Sequence, residues 1–375
     1  MKYRKLTAGV IAGAAALLAG LGSGVVQAAP ASPAALPVVQ DVTAVLPIMG
    51  AQLTVHVQTG PGGNITLAEI TPAGGTATAD PNRVSFSSTG LGGDPVKVNV
   101  RSKGNTQSIS ARAGSLKDIS GDGSWAGGVF DVTKPVTVKY TVAESTTTPG
   151  APDVKVTDPA DGTTAADGSK VQVLPAVQMN DEEGGMSAVA KVVFTLNGQS
   201  RTLSIGARVR TFVPEADDDN ESGTVPAAAT PITVASLRIT LSGFKGVAQA
   251  LPTAPTSQTW KGFLCDGTAA SIAYILNPDG TIALDPAVTP AIVPDPAEPA
   301  KVQSNRIEVR FGDKARVQIQ SRVNNGQVTV NVRDRIRCKG AADPTINGAT
   351  VNTDNAGGQH GGHDGKGKGN GGGDD

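Results

Sequence analysis

Period-two alternation of apolar and polar residues runs through nearly the whole chain. It is found in QLTVHVQ (52–58), NITLAEI (64–70), VKVNVRS (96–102), VTVKYTV (136–142) and QVTVNVRDRIRC (327–338). Alternation of this kind places one side of an extended segment in a core and the other in water; a helix cannot use it. RVSFSS (83–88) and QSISARA (107–113) fit the same template. The 47 glycines and 25 prolines supply turns between the segments. The pattern predicts an all-β protein of tandem β-sandwich domains.

Residues 1–28 read as an export signal. Lys2, Arg4 and Lys5 precede an apolar run, and Val26 and Ala28 occupy the −3 and −1 positions of a cleavage site. No later stretch is long and apolar enough to span a bilayer. The exported chain is expected outside the cell or on its surface, or in the periplasm of a host with an outer membrane. The Ala/Pro-rich stretch 29–40 reads as a leader, 41–143 as one sandwich and ESTTTPGAPD (144–153) as a linker. A second sandwich is expected over 154–250 and a third β domain over 257–340, with a Pro-rich insert at 285–300. The Gly-rich segment 341–375 offers nothing to bury and is expected to be disordered. Cys265 and Cys338 are the only cysteines. In an exported chain they predict one disulfide, two separate thiols being the alternative.

One stretch carries a family likeness. VKVTDPADGTTAADGSKVQV (154–173) has an alternating strand, a Pro-x-x-Gly turn, a second glycine turn and another alternating strand. NDEEGGMSAVAKVVFTLNGQ (180–199) then gives an acidic-Gly turn and a strand ending in Asn197-Gly198, the strongest two-residue hairpin signal. This region resembles bacterial immunoglobulin-like domains. The resemblance implies a sandwich with a structural or adhesive role. The later strands, 201–213 and 233–244, depart from the family's usual ending and leave the boundary near 250 open.

Catalytic constellations are scarce. His56 is the only histidine outside the tail and stands alone on a strand; a Ser-His-Asp or Cys-His site would need it as base. No phosphate loop, zincin motif or dinucleotide fingerprint is present. The chain is therefore read as a non-enzyme, with a secreted hydrolase of unrecognised type as a remaining alternative. Calcium is the candidate cofactor. DISGDG (118–123) offers Asp118, Ser120 and Asp122 with Gly123 at the sixth position, resembling the start of dockerin and EF-hand loops, but Val129 stands where an acidic closing residue belongs. EADDDNES (215–222) offers Asp217, Asp219 and Glu221. Each is equally a polar turn or solvated loop. His360, His363 and Asp364 in the tail could hold a transition metal only weakly.

The charge is uneven. Residues 29–300 carry 17 basic and 25 acidic side chains, whereas 301–340 carry ten basic and three acidic. Alternation sends Arg306, Arg310, Arg316, Arg322, Arg333, Arg335 and Arg337 to one face of a predicted meander. Such a face attracts anionic polysaccharide, an anionic cell-envelope polymer, lipid head groups or DNA, or else merely offsets the acidic regions beside it. Single-stranded nucleic acid is disfavoured because stacking needs aromatics and this face has none. Ordinary sugar platforms are scarce too; only Trp125 and Trp260 could serve, and both read as core or corner residues. The expectation is a secreted structural or adhesive protein of the cell surface or extracellular matrix, which could also contact other surface proteins. The alternative is a calcium-stabilised carbohydrate- or ligand-binding module. A weak internal repeat is also present. GDPVKVNVRSKGN (93–105) parallels GDKARVQIQSRVN (312–324), and Asn82-Arg83 parallels Asn305-Arg306. Two related hairpins or convergence on one strand-turn pattern would each explain it.

Overall fold

The computed structural model describes residues 39–89, 91, 95–180, 185–212, 231–312, 315–338 and 341–352. The export signal, most of the leader, the loop bearing Asp217, Asp219 and Glu221, and the tail from 353 with its two histidines lie outside the described residues.

The described chain is all-β. Its first fourteen strands are β1 (Gln40–Ile48), β2 (Ala51–Thr59), β3 (Ile65–Thr71), β4 (Thr76–Asp80), β5 (Arg83–Ser88), β6 (Val96–Lys103), β7 (Thr106–Ala113), β8 (Gly121–Gly127), β9 (Val136–Glu144), β10 (Pro152–Asp158), β11 (Lys170–Asn180), β12 (Met186–Leu196), β13 (Gln199–Phe212) and β14 (Ile232–Leu241). They form two sheets, ordered β10-β9-β8-β1-β2-β3 and β11-β12-β13-β14-β7-β6-β5-β4. The inward side of the alternation meets between them. Leu46, Val98, Phe194, Ile205 and Leu237 belong to one continuous core running from Val42 to Leu241. Each such side chain, fully buried, contributes roughly 1.5–3 kcal/mol.

This corrects the expected boundary between sandwiches at 41–143 and 154–250. β9 pairs with β10, and β7 pairs with β14, so both halves share both sheets. Alternation fixes which face a strand buries but not which strand lies beside it. The expected linker is a tight hairpin connection. Ser145 N–H donates to Ala151 C=O at 2.8 Å, and Gly150 N–H donates to the Glu144 carboxylate at 2.7 Å.

Two short strands, β15 (Lys245–Gly246) and β16 (Gln249–Ala250), lead into a smaller sandwich. Its strands are β17 (Thr256–Phe263), β18 (Ala269–Leu276), β19 (Ile282–Leu284), β20 (Ile292–Val293), β21 (Lys301–Gln303), β22 (Arg306–Arg310), β23 (Ala315–Asn324) and β24 (Gln327–Ile336). One sheet is β17-β18-β19, with β20 also on β18; the other is β16-β24-β23-β22-β21. Ile272, Leu276, Ile307, Val317, Ile319 and Val328 form its separate core. A disulfide between Cys265 and Cys338 ties the turn after β17 to the end of β24, closing a sequence separation of 73.

The segment expected to be disordered from 341 is ordered through 352. β25 (Thr345–Asn347) and β26 (Thr350–Val351) return to the larger sandwich and pair in parallel with β3 and β4. A sheet edge offers unpaired backbone groups to any extended segment, whatever its composition. Ile346 adds an apolar contact to the larger core. Among the described residues, no helix is long and apolar enough to cross a membrane.

Candidate anion-binding face

The meander β21-β22-β23-β24 turns one face to its core and the other outward. The register sets the outer rows. Lys301 lies opposite Glu308, Glu308 opposite Gln318 and Gln318 opposite Arg333. Beside this row, Arg310 lies opposite Arg316, and Arg316 opposite Arg335. Three arginines thus stand in line across three adjacent strands, about 4.8 Å apart strand to strand. Like charges directly opposite one another destabilise a sheet, so folding alone does not favour this row.

Glu308, in the neighbouring row, is the one carboxylate in these two rows. Its side chain is only 6% exposed, covered by the arginines around it. Arg306 donates to it, and Arg316 Nη2 lies 2.6 Å away. Arg310 Nε is 3.7 Å away, and its Nη1 is 3.7 Å from Glu298. Burial pushes the Glu308 pKa up, but the hydrogen bonds from Arg316 and Arg306 outweigh it and hold the group below its usual value. One carboxylate therefore serves three guanidinium groups and is already engaged. Arg316 Nε is buried without a hydrogen-bond partner. Arg333, Arg335 and Arg337 are exposed along β24 and just beyond it, and Arg322 is exposed toward the far end of β23, opposite Thr329. None of these four forms an ion pair among the described residues.

Six of the seven predicted arginines therefore share one outer face, with Arg306, Arg310, Arg316, Arg333 and Arg335 close together, and Arg337 is exposed just past the end of β24. Sequence reasoning missed Lys301, Gln303 and Glu308, which line the same shallow depression as Arg306, Arg310 and Arg316. The signal was available: Glu308 stands two residues from both Arg306 and Arg310, on the same side of β22. Guanidinium forks bind carboxylate, sulfate and phosphate in two-point fashion and stay charged at any ordinary pH. The arrangement can hold anions.

The other candidates do not converge. Asp118 accepts from Ser115 Oγ at 2.8 Å, closing a single 3-10 turn, and Ser120 Oγ donates to Leu116 C=O at 2.7 Å. Asp122 sits on β8, opposite Thr141 of β9. The expected calcium loop is thus half turn and half strand. Its glycine makes room for an aromatic ring, since a Cβ on Gly123 would lie 2.4 Å from the Tyr140 ring. Among the described residues no group of three His, Cys, Asp or Glu side chains is placed to hold a metal. His56 stands on the outer face of its sheet, 2.7 Å from Asp41 and 3.5 Å from Glu69. Trp125 is 2% exposed, and Trp260 stacks against Phe311 at 6.4 Å beside the smaller core, so neither offers an open sugar platform. No family model matches the chain, and neither curated proteins nor solved structures give a match.

Proposed function

We propose that the protein is an exported, non-enzymatic structural or adhesive protein of the cell surface or extracellular matrix, and that it holds anionic polysaccharide or an anionic envelope polymer on the outer face of β22-β23-β24. The observation that carries this reading is the line Arg310–Arg316–Arg335. It is three like charges in register, with the one carboxylate of the neighbouring outer row, Glu308, already engaged. An anionic chain laid across the strands relieves that repulsion. An Ig-like character of the middle region, about 152–250, belongs to the same proposal; its support is the β12–β13 hairpin, which turns on Asn197 and Gly198, both at positive φ.

The decisive experiment is retention of the chain from residue 29 on immobilised polygalacturonate across a salt gradient, against a variant with Arg333, Arg335 and Arg337 changed to alanine. Wild type should be held to moderate salt and the variant should elute early. Equal elution of the two at low salt would remove the binding role and leave the face as solvated charge.

A further inference from the structure

The larger sandwich repeats the basic meander. β4-β5-β6-β7 is antiparallel throughout, as is β21-β22-β23-β24. The likeness extends to individual atoms. Ser102 N–H donates to Asn82 C=O at 3.0 Å, and Ser321 N–H donates to Asn305 C=O at 3.0 Å. Both serines are 2% exposed, and neither hydroxyl has a hydrogen-bond partner. Lys97 and Arg316 stand at the same step before these serines. Lys97 lies opposite Arg112, as Arg316 lies opposite Arg335. The two meanders thus carry a like-charged pair at the same place on their outer faces.

The larger sheet adds a second such pair. Arg83 lies directly opposite Arg101, and Arg238 projects from β14 in the row between the two pairs. Lys97, Arg83, Arg101, Arg112 and Arg238 are all exposed. None forms an ion pair among the described residues. Strand geometry spreads them over a patch about 14 Å on each side. Hydroxyls and an amide fill the spaces between: Ser85 and Arg83 both donate to Asn99, and Arg238 Nε donates to Ser108 Oγ at 3.0 Å. Two like-charged pairs facing each other across strands are unfavourable unless an anion lies over them.

We infer that the outer face of β5, β6, β7 and β14 is a second binding surface for anionic polysaccharide, making the protein bivalent for the polymer. This surface rests on the ligand class proposed for β22-β23-β24 but shares none of its residues. Cations separated by Ser, Thr and Asn side chains suit a chain that alternates acid groups with hydroxyls. A flat sheet face offers no helix or ribbon to enter a DNA groove.

The experiment compares wild type, Lys97→Ala/Arg112→Ala, Arg333→Ala/Arg335→Ala and the fourfold variant, each first checked by circular dichroism. The readouts are apparent Kd on immobilised polygalacturonate, turbidity from bridging of the soluble polymer, and competition by duplex DNA. Each double variant should bind about 10²-fold more weakly to the immobilised polymer and should lose bridging, because a single remaining face loses the linked second contact. Lys97→Ala/Arg112→Ala behaving as wild type, while Arg333→Ala/Arg335→Ala fails, would overturn the second surface and leave the first. The reverse pattern would support the second surface and overturn the first. Duplex DNA displacing the polymer at equal charge concentration would overturn the assignment to polysaccharide.

Discussion

Replacing Glu308 with glutamine should weaken the smaller sandwich and strengthen its grip on anions. The carboxylate accepts from Arg306 and Arg316 and lies near Arg310. Hydrogen bonds to charged groups contribute about 1.5–3 kcal/mol each when fully buried. Here the two arginine side chains are 35% and 37% exposed, so solvent screens much of that, and a glutamine oxygen still accepts one bond. The expected loss is about 1–2 kcal/mol of folding stability. Binding should move the other way. One negative charge removed from beside a bound anion is worth about 1 kcal/mol near a solvated surface, or about fivefold in Kd. Dextran sulfate suits the assay because its groups stay ionised in acid. The pH dependence supplies an internal control. Glu308 titrates below its usual value, so the stability it lends is complete above the ordinary carboxylate range and lost as pH falls through its folded pKa. Wild type should therefore bind dextran sulfate more tightly as pH falls through that window, and Glu308→Gln, which keeps Glu298 near Arg310, should respond less there. Titration calorimetry and urea melts read both quantities. A Glu308→Gln variant that binds more weakly than wild type, or equally, would refute the idea that this carboxylate competes with the ligand for the arginines.

Other perturbations probe the frame that carries the two faces. Changing Cys265 and Cys338 to serine opens a loop of 73 residues and should cost the smaller sandwich about 4 kcal/mol; the loss should show in Trp260 fluorescence during urea unfolding while the Trp125 transition stays in place. Arg201 is 4% exposed and donates to the carbonyls of Val129, Ser242 and Asn105 beneath the Phe244 ring. Arg201→Met should destabilise the larger sandwich by about 3 kcal/mol in equilibrium unfolding, since those carbonyls lose their donor; a change below about 1 kcal/mol would mean that water replaces the guanidinium freely. Ending the chain before Thr345 uncovers the edges of β3 and β4. Sedimentation should then show concentration-dependent association, and an unaltered monomer would show that the strap is dispensable as an edge cover.

Much of this architecture was legible in the residue order. Alternation identified most of the strands, though not β1, β4 or β8, and within each it separated inner from outer positions; Val317 and Ile319 face the core and Arg316 faces water because side chains alternate along any extended backbone. The arginine face followed from that rule, and the likeness between 93–105 and 312–324 from matching residues in the two stretches. Strand partnership did not. β7 beside β14 and β9 beside β10 merge what read as two domains, since backbone hydrogen bonds are blind to sequence and the choice of neighbour rests on how many apolar faces close over one core. The same holds for sites. DISGDG looked like one loop until the β8 register placed Asp122 on a strand and gave Gly123 to the Tyr140 ring. Residue order alone dictates the all-β class and the composition of each outer face. Which like charges stand opposite one another is a property of the assembled sheets, because it depends on register between strands far apart in the chain, and register is set by the packing of the whole core.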